Sequence, residues 1–367
     1  MTVIKAQALR PDGTIKPSMV RLNSGKIQSV ATIPLNQCET NLLLCPGMID
    51  WQVNGAVGLL FNDMPDVVTL ASIGDALIKF GTTSWLPTLV TDSIEKMRAA
   101  ADAVAQSVQD PKSGVKGIHF EGPHLSVEKK GVHAEAHIRP ISDEEMAIYK
   151  RDDLGVKLLT LAPEQVTTEQ ISALKKAGCI ISIGHSNTDY ETTMAAVNAG
   201  ATCFTHLYNA MSGMQGRAPG VITAALESQS HYGLIADGIH VHEAMVRMAY
   251  NQNPNMTLIT DAMPPVGTDD TEFKWYGKTI YRTEDRLLDS DGRLAGAYLT
   301  QDQALANIMM MLKLSLEEAL PMVTTKPAEL LGLASNHAQI EPGCIADLML
   351  IDETAEVTRV WRAGYEA

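Results

Sequence analysis

No run of about eighteen apolar residues occurs in this 367-residue chain, so nothing in it reads as a membrane-spanning helix. The first residues, Met1-Thr2-Val3-Ile4-Lys5-Ala6-Gln7, lack the basic stretch and apolar core of a secretory signal. Cysteine is scarce: Cys38, Cys45, Cys179, Cys203 and Cys344 are odd in number, scattered, and mostly inside apolar runs. That pattern argues against a disulfide framework and predicts buried thiols in a reducing, cytoplasmic compartment. Positive charge is also short. A formal net charge of −14 excludes a nucleic-acid partner, which needs a basic face. It does not exclude a small anionic ligand, because a few local donors override the global field. No low-complexity tract or solenoid repeat is present.

The length suits one large domain with a smaller one. Residues 1–44 alternate short β-like runs with turns such as Pro11-Asp12-Gly13 and Asn23-Ser24-Gly25, and the texture returns over 346–363. Each end alone has too few strands to bury a core. Paired, they predict a small β-sandwich built from both termini, with residues 1–46 and 336–367 as its two parts.

The middle segment, 47–335, alternates strand-like runs ending near Gln52, Leu86, Glu121, Leu161, Gly184, Thr205, Ala236 and Thr260 with helix-sized gaps. Eight such units predict an α/β fold, a (β/α)8 TIM-type barrel. Helices are expected at 91–106, 168–177 and 301–312, with short ones at 316–324 and 328–331. An inserted hairpin is expected over 273–294. In the fifth unit, Thr188 and Glu191 read as a capping box for a helix that stops at Gly200.

In a barrel, chemistry belongs at the C-terminal ends of the strands. His185 and His206 stand just past successive strands, and Glu121 ends the third. One carboxylate and two imidazoles with room for water is the pattern of a hydrolytic metal centre. Zinc suits the set best, and iron, cobalt or manganese are also tolerated. Asp261, past strand eight, is placed as a base toward water activated there. Asp50, Gln52 and Asn54 mark the end of strand one. His119 alternates with Glu121, and either shares its face or hydrogen-bonds structurally, while His231 and His337 read as surface loop residues.

These residues sit in stretches that resemble the amidohydrolase superfamily and, within it, the N-acetylglucosamine-6-phosphate deacetylases. The matching stretches include Pro46-Gly47-Met48-Ile49-Asp50, Phe61-Asn62-Asp63, His119-Phe120-Glu121-Gly122-Pro123 and Lys130-Gly131-Val132-His133. Gly184-His185-Ser186, Thr205-His206-Leu207-Tyr208-Asn209-Ala210-Met211 and Gly216-Arg217-Ala218-Pro219-Gly220 follow. Ile235-Ala236-Asp237-Gly238-Ile239-His240, Leu258-Ile259-Thr260-Asp261-Ala262 and Leu294-Ala295-Gly296 complete a similarity that runs along nearly the whole chain.

The resemblance implies hydrolysis of the acetamide of N-acetylglucosamine 6-phosphate, giving glucosamine 6-phosphate and acetate in amino-sugar catabolism. It implies one divalent metal on Glu121, His185 and His206, with Asp261 as base and then acid, and His133 helping to polarise the carbonyl. Asn209, Arg217 and His240 match residues that contact the sugar phosphate, the Arg reaching in from the second subunit of a homodimer. Ala210 and Gly296 would line the sugar site. The superfamily's His-x-His on strand one is replaced by Gln52-Val53-Asn54, which implies a mononuclear centre with Gln52 near the bound water. The galactosamine epimer remains an alternative substrate. A non-catalytic scaffold is a poorer alternative, since drift would first erase the ligands or the base, and all four stand.

Overall fold

The computed structural model describes all 367 residues, Met1–Ala367. Eight parallel strands follow one another in sequence order: Met48–Val53, Thr82–Val90, Gly117–Glu121, Val156–Leu161, Cys179–Ile183, Cys203–Phe204, His231–Leu234 and Met256–Leu258. A parallel bridge from Val53 to Ala262 closes the first against the eighth. Each strand is followed by one outer helix, the eight running from Val67–Leu77 to Gln301–Leu312. This is the expected (β/α)8 barrel. Its strands are buried on both faces, as crossover helices require, and read as apolar runs for that reason. Gly233 lets the barrel fill: a Cβ there would come within 2.5 Å of the Trp51 ring.

The termini build one seven-stranded sheet around a separate core of Ile4, Ala6, Val20, Leu44, Leu348 and Trp361, among others. Its strands alternate buried and exposed positions, as in Thr2–Leu9, the period-2 pattern of a half-buried sheet. The sheet folds over as a sandwich, because the 343–346 segment pairs back onto Ile27 at the far edge.

Four local readings need correction. The cap of Tyr190–Ala199 is Asp189, which accepts from Thr192 N at 2.8 Å. Thr188 lies one residue too early, and its carbonyl accepts the Ser212 hydroxyl instead. The insertion is three antiparallel strands, Glu272–Trp275, Lys278–Thr283 and Arg286–Leu288, rather than a hairpin. The expected 316–324 helix breaks into Leu316–Ala319 and a 3-10 turn at Leu320–Met322, where Pro321 supplies no N–H, and the next helix begins at Thr325. His337 is not a surface residue but is buried between the two domains, and His231 is half-buried at the start of a barrel strand.

His337 is buried because Asp347 is. The Asp347 carboxylate lies 3.4 Å from His337 Nδ1 and 3.6 Å from Lys116 Nζ, and accepts Ala363 N–H at 2.7 Å. Burial alone would raise this carboxyl, but His337, Lys116 and the Ala363 N–H outweigh it and hold it below its ordinary 3.8. Its contribution to stability is therefore full above pH 3.8 and is lost as pH falls through the lowered value. Asp347→Asn is expected to lower the urea midpoint at neutral pH and to flatten the acid limb of stability against pH. An unchanged acid limb would show that the cluster is not what acid attacks.

Candidate metal centre and active-site cavity

His185, His206 and Asp261 all hold left-handed backbone, with φ of 47°, 32° and 51°. Non-glycine residues there cost roughly 1–3 kcal/mol each, and persist only where the surroundings over-determine them. Here the strain turns three strand-end side chains inward over the barrel mouth.

Glu121 Oε1 lies 3.2 Å from His185 Nε2 and 3.0 Å from His206 Nε2, and the two Nε2 atoms are 3.0 Å apart. All three side chains are buried. His185 donates Nδ1–H to the Lys129 carbonyl at 2.8 Å, so its Nε2 presents a lone pair. Two imidazole nitrogens and a carboxylate converging this closely on one point fit a small cation, and tetrahedral zinc takes this donor set. Burial opposes ionisation of Glu121, yet its bonds to His185 and His206 bring its pKa well below the ordinary value. His206 is buried too, and the Glu121 bond and charge raise it.

Adding zinc to stripped protein is therefore expected to raise Tm by several degrees, since about 2.7 kcal/mol is gained at a hundredfold excess over Kd. In a thermal-shift titration Glu121→Ala should abolish that rise. A shift that survives the substitution would place the metal elsewhere.

Asp261 faces the triad. Its Oδ1 accepts from Asn54 Nδ2 at 2.7 Å and from Gln52 Nε2 at 3.2 Å, which leaves Oδ2 to the cavity. Burial and the neighbouring Glu121 charge push its carboxyl up to about 6. Gln52 itself does not line the cavity. It is fully buried and ties the two carboxylates together, donating also to Glu121 Oε1 at 3.1 Å.

His133 lines the cavity, its ring 4.3 Å from that of His185, and its Nδ1 pairs with the Thr91 hydroxyl at 2.8 Å. Burial above all holds it well below its ordinary pKa, so the imidazole is neutral. His119 lies deeper, hydrogen-bonded between Thr88 and Thr160 at 3.1 and 2.7 Å.

The cavity measures 580 Å³, enough for a sugar phosphate. Asn209, Ala210, His240 and Gly296 join the triad, His133 and Asp261 in its wall. His240 donates Nδ1–H to Asp237 at 2.5 Å, which turns Nε2 toward the cavity. Gly296 has φ +65°, and a Cβ there would collide with the Met263 side chain. Arg217 is not in the wall; it lies exposed on the loop after strand six. Sequence reading missed Asn54 as a partner of Asp261, although it is two residues from Gln52 and so shares its face. Thr91 was equally within reach, as a polar residue at a strand end. Trp275 and Arg293 come from or beside the insertion, and nothing local marked them as cavity residues.

The amidohydrolase family profile matches residues 43–366. The chain belongs to the amidohydrolase family. Among curated relatives, this amidohydrolase is 46% identical to the N-acetylgalactosamine-6-phosphate deacetylase of Shewanella sp. (strain ANA-3), over 89% of this chain and 83% of that one. It is 35% identical to the N-acetylglucosamine-6-phosphate deacetylase of Haemophilus influenzae, over 89% of each. Among solved structures it superposes on the N-acetylglucosamine-6-phosphate deacetylase of Pasteurella multocida with a TM-score of 0.94 and 33% identity, over the full length of both. A point mutant of the Mycobacterium smegmatis deacetylase, solved in complex with N-acetyl-D-glucosamine-6-phosphate, gives a TM-score of 0.89 at 28% identity, covering 100% of this chain and 98% of that one. No helix is long and apolar enough to cross a membrane.

Proposed function

We propose that this amidohydrolase removes the acetyl group of N-acetyl-D-glucosamine 6-phosphate, releasing D-glucosamine 6-phosphate and acetate. The observation that carries the reading is the convergence of Glu121, His185 and His206 opposite Asp261 at the floor of one cavity. Full-length likeness to sugar-phosphate deacetylases supports it. Glu121, His185 and His206 would hold one divalent metal, with zinc the best match to the donors. When bound, the metal supplies Lewis-acid polarisation and brings the pKa of water toward neutrality.

The chain's own groups do the rest. Asp261 takes the proton of the attacking water on Oδ2 and later gives it to the departing 2-amino group. Asn54 and Gln52 hold its other oxygen, so the carboxylate does not turn away. Neutral His133, its Nδ1 paired with the Thr91 hydroxyl at 2.8 Å, would face the acyl oxygen and help to polarise it. His240 Nε2, the Asn209 amide and the Ala210 backbone face the phosphate end.

Arg217 would complete that end from a second copy in a homodimer. A charge-assisted bond of about 1.5–3 kcal/mol corresponds to roughly 10- to 100-fold in binding. Arg217→Ala is expected to raise KM for the phosphorylated sugar by that factor, with the loss of kcat much smaller. Unchanged KM in the variant would remove Arg217 from the phosphate site. The five free thiols, four of them buried, support a reducing cytoplasmic setting.

The galactosamine epimer is a second reading, favoured by the 46% identity to the Shewanella enzyme. Acetate release from both epimeric 6-phosphates and from unphosphorylated N-acetylglucosamine separates the two. Fast release from the glucosamine ester alone is expected. Preference for the galactosamine ester would move the substrate by one hydroxyl, and no release from any would sink the deacetylase reading.

A further inference from the structure

Beneath the cavity floor lies an ionisable residue that the proposed chemistry does not use. Asp50 is fully buried inside the first barrel strand, Met48–Val53. Its Oδ2 accepts the Thr260 hydroxyl at 2.5 Å. Its Oδ1 accepts Gln52 N–H at 3.1 Å and Thr260 N–H at 3.4 Å. The Thr260 hydroxyl in turn accepts Ala262 N–H at 3.2 Å. One hydroxyl therefore fastens the residues on both sides of Asp261, and one carboxylate fastens that hydroxyl.

The same pair reaches Asp261 along a second route. Asp261 N donates to the Gln52 carbonyl at 3.0 Å, and the Gln52 amide donates to Asp261 Oδ1. Asp50 anchors the Gln52 backbone between them. Asp261 holds φ +51° inside this bracket, a conformation that a non-glycine residue leaves when nothing enforces it. An apolar side chain would close strand one against strand eight at less cost. A buried carboxylate must recover its desolvation through its bonds, and replacing buried polar partners by apolar groups of similar volume is often neutral or stabilising. Every side-chain hydrogen bond of Asp50 runs to a residue that flanks or touches Asp261. Burial accordingly pushes its own carboxyl up to about 7, with the Thr260 hydroxyl the chief opposing influence.

We propose that Asp50 and Thr260 are positioning residues that set the left-handed turn of Asp261 and hold its carboxylate over the cavity floor. This rests on the reading of Asp261 as the proton-transfer group. Misplacing such a group by about 1 Å costs on the order of 100-fold in rate, while substrate contacts on the far wall are untouched.

The test compares wild type, Thr260→Val, Thr260→Ser and Asp50→Asn as metal-loaded, folded proteins, each assayed well below its own Tm. Thr260→Val is expected to lower kcat per bound metal by about 10- to 100-fold, with KM and metal stoichiometry unchanged. Thr260→Ser, which keeps the hydroxyl, should recover most of the rate. Should Thr260→Val not fold, Asp50→Asn, which keeps the shape, should give the same split of kcat from KM. A crystal structure of the slow variant should show Asp261 out of reach of Asn54. Wild-type kcat in a variant that is merely less stable would overturn the inference, as would an Asp261 carboxylate that has not moved. Absence of acetate release by the wild-type protein would count against the deacetylase reading alone, because the position of Asp261 is read without turnover.

Discussion

Asp261→Asn is expected to reduce acetate release by about 10²–10⁴-fold, the range spanned by a positioned general acid–base group. The substitution keeps the shape of the side chain and removes its ability to take a proton. Metal content should stay at the wild-type level, because Asp261 is not one of the three converging ligands. Binding of product amine and phosphate should also persist, since Asn209 and His240 lie elsewhere in the wall. Single-turnover acetate release beside elemental analysis of the purified variant checks both statements. A fully active Asp261→Asn enzyme would mean that another group moves the proton, and Asp261 would then be only a partner of Asn54 and Gln52. A variant that lost its metal would say that Asp261 is a ligand.

The second large effect concerns stability. Arg362, on the last long strand of the sandwich, is buried against the base of the barrel. It donates to the carbonyls of Gly74 at 2.8 Å, Thr82 at 3.0 Å, Thr83 at 3.1 Å and Lys112 at 3.2 Å. Burial pulls its pKa down to about 10, with the Asp347 and Asp75 charges opposing the fall, so it is still a cation at neutral pH. Arg362→Leu would take the guanidinium donors from the buried Thr82 and Thr83 carbonyls, whereas Gly74 O keeps the Ile78 N–H and Lys112 is exposed. Each buried unpaired group costs about 1–3 kcal/mol, so a loss of about 2–6 kcal/mol is expected in urea unfolding. Arg362→Lys keeps the charge but not the planar fork, and should fall between the two. A loss below about 1 kcal/mol for Arg362→Leu would show that the domains are held by apolar contact alone.

Both effects lie in parts of the molecule that were unequally visible beforehand. Glu121, His185, His206 and Asp261 could be read as candidates because strand ends are marked by apolar runs, and a barrel sends those ends to one rim. The helix Gln301–Leu312 is readable to the residue, since Thr300 precedes an apolar stripe and its N–H is held by the Gln303 side chain at 3.2 Å. The supposed box at Thr188 failed because Asp189, next to it, offers a stronger acceptor in the right register. His337 was misjudged because loop composition says nothing about a neighbouring domain that covers the loop. The period-2 direction of Gln52 is legible in the sequence, whereas its depth behind Glu121 and Asp261 is not.

By itself the sequence determined the alternation of strands and helices, the pairing of the two termini, and the residue types able to hold a metal, because each follows from local periodicity, turn chemistry or donor chemistry. Only the tertiary structure decided how those donors meet. The 3.0 Å approach of the two imidazoles depends on left-handed backbone at His185 and His206. The aim of Asp261 depends on Asn54, Gln52 and Thr260, and the cavity wall on an insertion whose Trp275 folds back over it. Those contacts join residues as far as 210 positions apart, and a side chain's hydrogen-bond partners at that range are set by strand closure and packing, which no local pattern encodes.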